Sequence, residues 1–152
     1  MPNWVKNRIE ISGPEKDKVD AVLLLKSDQD ESCFDFNNVI PMPHSLKIES
    51  GSYSMKSLAV YRYKVMGVGA AALEKFKSYD EEAINMTLDD YADQLLKDGS
   101  ADLELGRTVY SNIEKYGYGD WYDWSISKWG TKWNACDADC YKNHDGNIVY
   151  EF

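Results

Sequence analysis

In the stretch Trp4–Lys26, WVKNRIEISGPEKDKVDAVLLLK, the spacing of apolar residues changes from the alternation typical of a strand to the three- and four-residue intervals typical of a helix. Over residues 4–12, apolar and polar side chains alternate, which predicts a half-buried β-strand. Gly13-Pro14 ends this strand, and proline is favoured in the first turn of a helix. The apolar residues that follow recur at helical intervals, so we expect a helix that ends near Lys26. The chain therefore begins with a strand that leads directly into a helix.

A second short strand is predicted over residues 33–43, CFDFNNVIPMP. Phe34 and Phe36 would share one face of this strand, and the two prolines at its end would stop it. Together with the first strand and helix, it would complete a β-α-β unit over residues 1–43.

The middle of the chain, from about residue 55 to residue 117, follows helical spacing. Gly67-Val-Gly69 is expected to interrupt it. Thr87 has the chemistry of a helix cap for a helix over 88–97, and a further helix is expected over 101–116. This region would be a helical insertion.

Residues 118–152 are predicted to form a tryptophan-rich helix over 121–129, followed by a β-hairpin. The turn of the hairpin would be Asn143–Gly146, which has favourable turn residues. The order predicts an α+β fold in a single domain, 1–152: a small antiparallel sheet packed by helices, with the helical insertion between the β-α-β unit and the hairpin.

The composition is that of a globular and acidic protein, with 43% hydrophobic residues, 13% aromatic residues and a net charge of -9. Neutralising a phosphate backbone needs clustered lysine and arginine, and no such cluster is present, so we expect no direct binding to nucleic acid. No secretory signal and no apolar run of membrane-spanning length is present. The three cysteines are an odd number, which favours reduced thiols in the cytoplasm.

No catalytic motif can be identified. Cys136, Cys140 and His144 are spaced too widely for a zinc site if they lie on an extended strand. No spacing of serine, cysteine or aspartate with either histidine marks a catalytic triad, and no phosphate-binding glycine motif occurs. We therefore expect no metal, no cofactor and no enzymatic activity.

Two groups of residues are candidates for binding. Acidic side chains cluster in the helical region, where they form either a solvated helix face or a surface that imitates a nucleic-acid backbone towards a basic partner protein: Asp80, Glu81, Glu82, Asp89, Asp90 and Asp93. Four of the five tryptophans fall between residues 121 and 133 and either build a core or line an aromatic pocket. The pocket alternative comprises Trp121, Trp124, Trp129 and Trp133, with Asn7, Lys132 and Asn134 as polar groups. Asn7 has a plainer alternative, which is hydrogen bonding to nearby backbone.

Three segments together resemble the YubB-type ferredoxin-like proteins, a family of small proteins from phages, plasmids and prophages. They are Met1–Trp4 with Asn7, Phe36–Pro43, and WGTKW at Trp129–Trp133. The resemblance implies a ferredoxin-like sheet and an accessory role for a mobile element in the host cytoplasm. It leaves residues of about 45–118 unmatched, and it supplies no catalytic residues.

The chain departs from the family pattern in two places. Val5 stands where the family usually has cysteine, and family members usually continue past the last strand into a further helix and strand, whereas this sequence stops at Phe152. Two alternatives follow: a naturally short protein with an altered sheet, or a sheet whose free edge pairs with a second copy.

Three functions are compatible with these observations. The first is a non-enzymatic phage or mobile-element protein that binds a host protein, as an acidic inhibitor of a defence or nucleic-acid-processing factor. The second is a module that binds a planar or nucleotide-like small ligand in an aromatic pocket. The third is an enzyme of unknown reaction.

Overall fold

The computed structural model describes residues 5–27 and 32–152. Met1–Trp4, which hold the start of the predicted first strand and of the N-terminal motif, lie outside the described residues. The helices and strands follow in the order β1 (Arg8–Ile11), α1 (Glu15–Leu25), α2 (Phe36–Val39), α3 (Ser52–Lys64), α4 (Ala70–Ser78), α5 (Leu88–Lys97), α6 (Leu103–Tyr116), α7 (Trp121–Trp129), β2 (Asp139–Lys142) and β3 (Ile148–Glu151). Short 3-10 turns occur at His44–Leu46 and Glu81–Ala83. The predicted α+β class is confirmed.

The chain divides into two compact units. Met1–Pro41 and Ser125–Phe152 form one, which we call the sheet unit, and Met42–Trp124 form the other, which we call the helical unit. The sheet unit combines segments from both ends of the sequence. The expectation that the whole chain is a single domain stays a prediction.

The three strands form one antiparallel sheet in the order β1-β3-β2. The predicted C-terminal hairpin is confirmed, because β2 and β3 are neighbours and the Asn143 amide donates to the Asn147 carbonyl at 2.9 Å to close the turn. Tyr150 lies at the middle of the sheet, opposite Ile9 on one side and Cys140 on the other.

The core of the sheet unit lies on one face of this sheet. Leu25, Phe34 and Tyr150 are buried there, and α1 contributes Val22 to the same cluster. The first strand is shorter and more exposed than its alternation predicts. Ile11 is half-buried, but Ile9 is 38% exposed. Alternation identifies a strand face correctly, but a strand at the edge of a sheet buries only part of that face.

The prediction of a second strand over residues 33–43 was wrong. Phe36–Val39 form a short helix instead, and Asp35 caps it by accepting a hydrogen bond from the Asn37 amide at 2.7 Å. Aspartate competes for nearby backbone amides in this way at helix starts and turns. Phe34 is therefore buried in the core, while Phe36 is the first residue of a helix. The two-residue spacing of these rings does not come from a strand.

The helices of the helical unit agree closely with those predicted from the sequence. The Thr87 hydroxyl accepts from the Asp90 amide at 3.1 Å at the start of α5, as predicted, and Gly117 ends α6 with a left-handed φ of 81°. α3 packs against α6, where Gly106 brings the two backbones close together. The core of the unit is small-residue-rich and consists of Ala59, Val60, Leu73, Ala83, Tyr91, Ala92, Leu95 and Ala101.

Candidate functional site

The end of α7 sets the position of the WGTKW segment. Trp129 is the last residue of the helix, and Gly130 follows with a φ of 76°, a left-handed conformation that favours glycine and turns the chain sharply. The Trp129 indole Nε1 donates to the Ile40 carbonyl at 2.9 Å. This hydrogen bond fixes the orientation of a half-buried ring at the surface of the sheet unit.

Asn134 ties the chain after this turn to the start of α2. Its Oδ1 accepts from the amides of Phe36 and Ala135, each at 2.9 Å, and its Nδ2 donates to the Asp35 carboxylate at 2.7 Å. The same carboxylate caps α2 through Asn37. One side chain therefore holds two segments that are almost a hundred residues apart in the sequence.

A series of ring contacts leads from the core of the sheet unit to its surface. Phe34 stacks on Phe152 at a centroid distance of 4.7 Å and meets Tyr150 edge-on at 5.3 Å. Phe36 meets Phe152 edge-on at 5.7 Å and stacks on Trp129 at 5.8 Å. Each such pair adds about 0.5–1.5 kcal/mol beyond area burial, so this cluster is a rigid wall.

A pocket of about 580 Å³ opens beside this wall. Its volume falls within the range that is usual for small-molecule sites. The pocket is formed by residues around β1, by the start of α2, by the WGTKW turn and by the last residue of the chain: Val5, Asn7, Arg8, Ile9, Phe36, Trp129, Gly130, Thr131, Trp133, Asn134, Ala135, Cys136 and Phe152.

Four of the predicted pocket residues do line this cavity, namely Asn7, Trp129, Trp133 and Asn134. Trp133 is 48% exposed. Lys132 lies next to the pocket without lining it, with its Nζ 5.3 Å from the centroid of the Trp133 ring, a cation–π contact. Asn134, the other predicted polar group, lines the cavity and also supports it.

The other two tryptophans belong to the helical unit and do not line this pocket. Trp124 is only 4% exposed, as the core alternative requires. Trp121 meets the Tyr122 ring edge-on at 5.5 Å. The boundary between the two units therefore falls within α7, between Trp124 and Ser125. The pocket alternative applies only to Trp129 and Trp133.

The polar groups of the pocket are few. Asn7 makes the backbone contacts expected of it: its Nδ2 donates to the Val5 carbonyl at 3.2 Å, and its main chain exchanges two hydrogen bonds with Phe152. Among the described residues of the lining, Arg8 has the one charged side chain. It forms an ion pair with Glu10 at 3.0 Å, and hydrogen bonds with Tyr141 and Glu10 raise the pKa of its guanidinium.

The described thiols differ in their surroundings. Cys136 is exposed at the pocket, whereas Cys33 is half-buried and donates to the Ala138 carbonyl at 3.1 Å. Burial raises the pKa of Cys33, and the neighbouring Cys140 adds to this effect. Burial, with Cys140 adjacent, also raises the pKa of Tyr150. No group of three metal-ligating side chains occurs within residues 5–27 and 32–152.

The predicted acidic residues all lie in the helical unit. Five of them are exposed: Glu81, Glu82, Asp89, Asp90 and Asp93. Asp80 is half-buried and caps the 3-10 turn by accepting from the Glu82 amide at 3.2 Å. Lys64 pairs with Asp93 at 2.7 Å and with Asp89 at 3.4 Å. α3 therefore compensates part of the α5 charge.

Several pocket residues were not predicted from the sequence. Phe36 and Phe152 supply two of its rings, Arg8 supplies its charge, and Asp35 supports it. The aromatic residues of FDF and of the C-terminal YEF were a usable signal. To place these rings in one pocket, however, the sequence would also have to indicate that β3 is the central strand and that a helix starts after Asp35.

Comparisons of the chain with protein-family models, with curated proteins and with solved structures found no significant match. None of the helices in the described residues combines the length and the apolar character needed to cross a bilayer.

Proposed function

We propose that the protein binds a small planar molecule in the aromatic pocket of the sheet unit, without catalysing a reaction. The observation that carries this proposal is the pocket of about 580 Å³ that has Trp129, Trp133, Phe36 and Phe152 in its lining. Ligand sites are typically concave, largely apolar and equipped with a few polar groups. This pocket has those properties, and its rings are held in place by stacking and by the Trp129–Ile40 hydrogen bond.

The lining also indicates the class of ligand. Indole and phenyl faces stack on planar rings, and Trp133, which lines the pocket, is 48% exposed. Among the described residues of the lining, Arg8 has the only charged side chain, and no acidic side chain is part of it. A neutral or anionic heteroaromatic group, such as a nucleobase, a nucleoside monophosphate or a flavin ring, therefore fits better than a cationic one.

The test is a titration of the protein with nucleosides, nucleoside monophosphates and riboflavin, followed by tryptophan fluorescence. We expect at least one of these probes to quench the emission in a saturable manner. Replacing Trp133 with alanine should weaken that probe roughly 5- to 150-fold, since one aromatic stacking partner is worth about 1–3 kcal/mol. Trp133 is suitable because it is half exposed, so its removal leaves the core intact.

The matched control is Tyr79→Ala, which removes an aromatic side chain that is 78% exposed in the helical unit. This variant should bind the probe like the unaltered protein. An unchanged emission across the whole panel, or equal losses in the two variants, would argue against a ligand site at this pocket.

A second function is supported by the charge of the helical unit. Between residues 80 and 104 the sequence has nine carboxylates and one lysine, so this segment carries nearly the whole net charge of -9. No ion pair among the described residues involves Glu81, Glu82 or Asp90. We infer a protein-binding surface for a basic cleft of a host factor, which is the inhibitor function expected for a phage or plasmid accessory protein.

The test of this second function is capture of host proteins by the immobilised protein at low and at high salt. Association through charge weakens as salt rises. Replacing Glu81 and Glu82 with lysine should abolish the capture of a specific partner. The control changes Asp17 and Asp20 of α1 to lysine, which alters the net charge equally but in the sheet unit. Salt-insensitive capture, or equal effects of both changes, would contradict the proposal.

We also propose that the chain is a YubB-type ferredoxin-like protein of a phage or related element. In support, β1 leads into α1, and β3 lies between β1 and β2 with antiparallel pairing on both sides. That order is the one expected for a split β-α-β unit, the motif from which ferredoxin-like folds are built. A solved structure of a family member with another strand order would contradict this assignment.

A further inference from the structure

β1 is an edge strand. In the order β1-β3-β2 it is paired on one side only within the described part of the chain. Its residues Arg8, Ile9 and Glu10 are exposed. An edge strand with unpaired backbone groups is a template for pairing with another strand, unless the sequence prevents it.

The pairing with β3 determines which backbone groups of β1 point outwards. The amide of Asn7 donates to the Phe152 carbonyl at 2.6 Å, and the Phe152 amide donates to the Asn7 carbonyl at 3.1 Å. Such doubly bonded pairs alternate with unbonded pairs along an antiparallel ladder. The backbone of Ile9 therefore faces β3, as that of Asn7 does, while the N–H and C=O groups of Arg8 and Glu10 face the open edge.

The open edge is complementary to itself. If two copies pair antiparallel about a two-fold axis at Ile9, Arg8 of each copy lies opposite Glu10 of the other. Both residues present outward-facing backbone groups, so they can form the doubly bonded pair that the ladder requires. Their side chains have opposite charge, which stabilises directly opposed positions in an antiparallel pair. Ile9 then lies opposite Ile9 of the second copy.

Neighbouring registers lack this agreement. A two-fold axis at Arg8 would oppose two arginines, and an axis at Glu10 would oppose two glutamates, which destabilises cross-strand pairs. A shift of one residue in the pairing would set outward-facing groups of one copy against groups of the other that already bond to β3. The register centred on Ile9 is the one that satisfies both hydrogen bonding and charge.

The other edge of the sheet is less suited to self-pairing. The same alternation gives Cys140 and Lys142 the outward-facing groups of β2, and no pair of opposite charges results. Lys142 is engaged with Glu15 at 3.0 Å, and Asp137, just before the strand, has a left-handed φ of 51° that bends the approach. Lysine and local bends are devices that discourage edge pairing.

We propose that the protein forms a symmetric dimer in which β1 pairs antiparallel with β1 of a second copy about Ile9, so that two three-stranded sheets become one continuous sheet. The occupant of the open edge is therefore a second copy of this chain, selected by the alternation of arginine and glutamate. This association does not depend on a ligand in the aromatic pocket.

Two charge-reversal variants test the register by native mass spectrometry and sedimentation velocity. Arg8→Glu and Glu10→Arg should each be monomeric, because each opposes like charges across the axis. When the two variants are mixed, both carboxylates of the first lie opposite both guanidinium groups of the second, so a heterodimer should form. Each variant also loses the ion pair between Arg8 and Glu10 of the same chain. That loss by itself would not make the two variants associate when they are mixed.

A cysteine cross-link gives an independent measurement. The two Ile9 residues would form an unbonded pair with Cα atoms about 4.5 Å apart, a separation that a disulfide can bridge. With Cys136 and Cys140 replaced by serine, Ile9→Cys should form a covalent dimer under mild oxidation. Val5→Cys is the control: it is more exposed, at 71%, but lies four residues from the axis and should stay uncrosslinked.

The result expected for the unaltered protein is a dimer whose fraction falls on dilution. A protein that is monomeric at every concentration would overturn the proposal. So would folded charge variants that do not associate on mixing, or equal cross-linking at Ile9→Cys and Val5→Cys.

Discussion

Replacing Asn134 with alanine tests how the pocket is held together. The Asn134 amide accepts two backbone hydrogen bonds, from Phe36 and Ala135, and donates a third to Asp35. Alanine at residue 134 removes all three contacts. The Asp35 carboxylate, which is 7% exposed, then keeps only its bonds to Asn37.

The magnitude follows from these contacts. A neutral hydrogen bond contributes about 0.5–1.5 kcal/mol and one to a charged group about 1.5–3 kcal/mol. Because the site is part-buried and water can replace some of the loss, we expect the free energy of unfolding to fall by about 2–4 kcal/mol. For a chain of this size, that change lowers the melting temperature by roughly 5–15 °C.

The assay is thermal and urea unfolding of Asn134→Ala beside Asn38→Ala. Asn38 is the matched control, because it lies in the same segment but its side chain makes one exposed hydrogen bond, to the Lys26 carbonyl at 2.6 Å. This control should lose no more than about 1 kcal/mol. Equal losses in the two variants would refute the view that Asn134 joins α2 to the pocket loop.

Three further predictions concern packing and chemistry. Gly106→Ala should lower the melting temperature measured by circular dichroism, because its Cβ would overlap with the Ser57 carbonyl oxygen. Overpacking costs about 1–3 kcal/mol, more than the gain of about 1 kcal/mol in helix propensity. Cys136 should react with a thiol reagent at neutral pH well before Cys33, whose pKa is raised by burial; mass spectrometry of the labelled peptides measures the order. Tyr150→Phe should be neutral or stabilising in urea unfolding, because the buried hydroxyl has no well-aligned hydrogen-bonding partner among the described residues and only the weakly polar Cys140 thiol beside it.

Each of these has a distinct control or contrary result. Gly51→Ala matches Gly106→Ala, because a Cβ at Gly51 meets nothing within 4 Å and its φ of 164° is ordinary extended backbone; equal destabilisation would remove the packing explanation. Simultaneous labelling of the thiols would show that Cys33 is not protected. A marked loss of stability in Tyr150→Phe would mean that its hydroxyl has a partner.

The sequence predicted the helices of the helical unit and the hairpin well, because their signals are local. Thr87 and Gly117 mark helix ends through their own side chain or backbone, and Asn143–Gly146 carries turn chemistry. The error at residues 33–43 has a non-local cause in addition to the local Asp35 cap. Asp35 and Phe36 are held in a helical start by Asn134, and nothing near residue 35 in the sequence indicates that partner.

The pocket could be predicted only in part for the same reason. Local density of tryptophan identified Trp129 and Trp133, and the apolar face of the first strand identified Asn7. Their meeting depends on the position of β1 beside β3, which brings the last residue, Phe152, next to Asn7. Trp124 lies in the same tryptophan-rich segment as Trp129 but belongs to the helical unit.

The indole N–H signals in a two-dimensional NMR titration test the central claim most directly, because each of the five tryptophans gives one resonance that can be assigned by substitution. With a planar probe that quenches fluorescence, we predict shifts for Trp129 and Trp133 and an unchanged signal for Trp124. Shifts confined to Trp121 and Trp124, or no shift in any indole across the panel, would contradict ligand binding at this pocket.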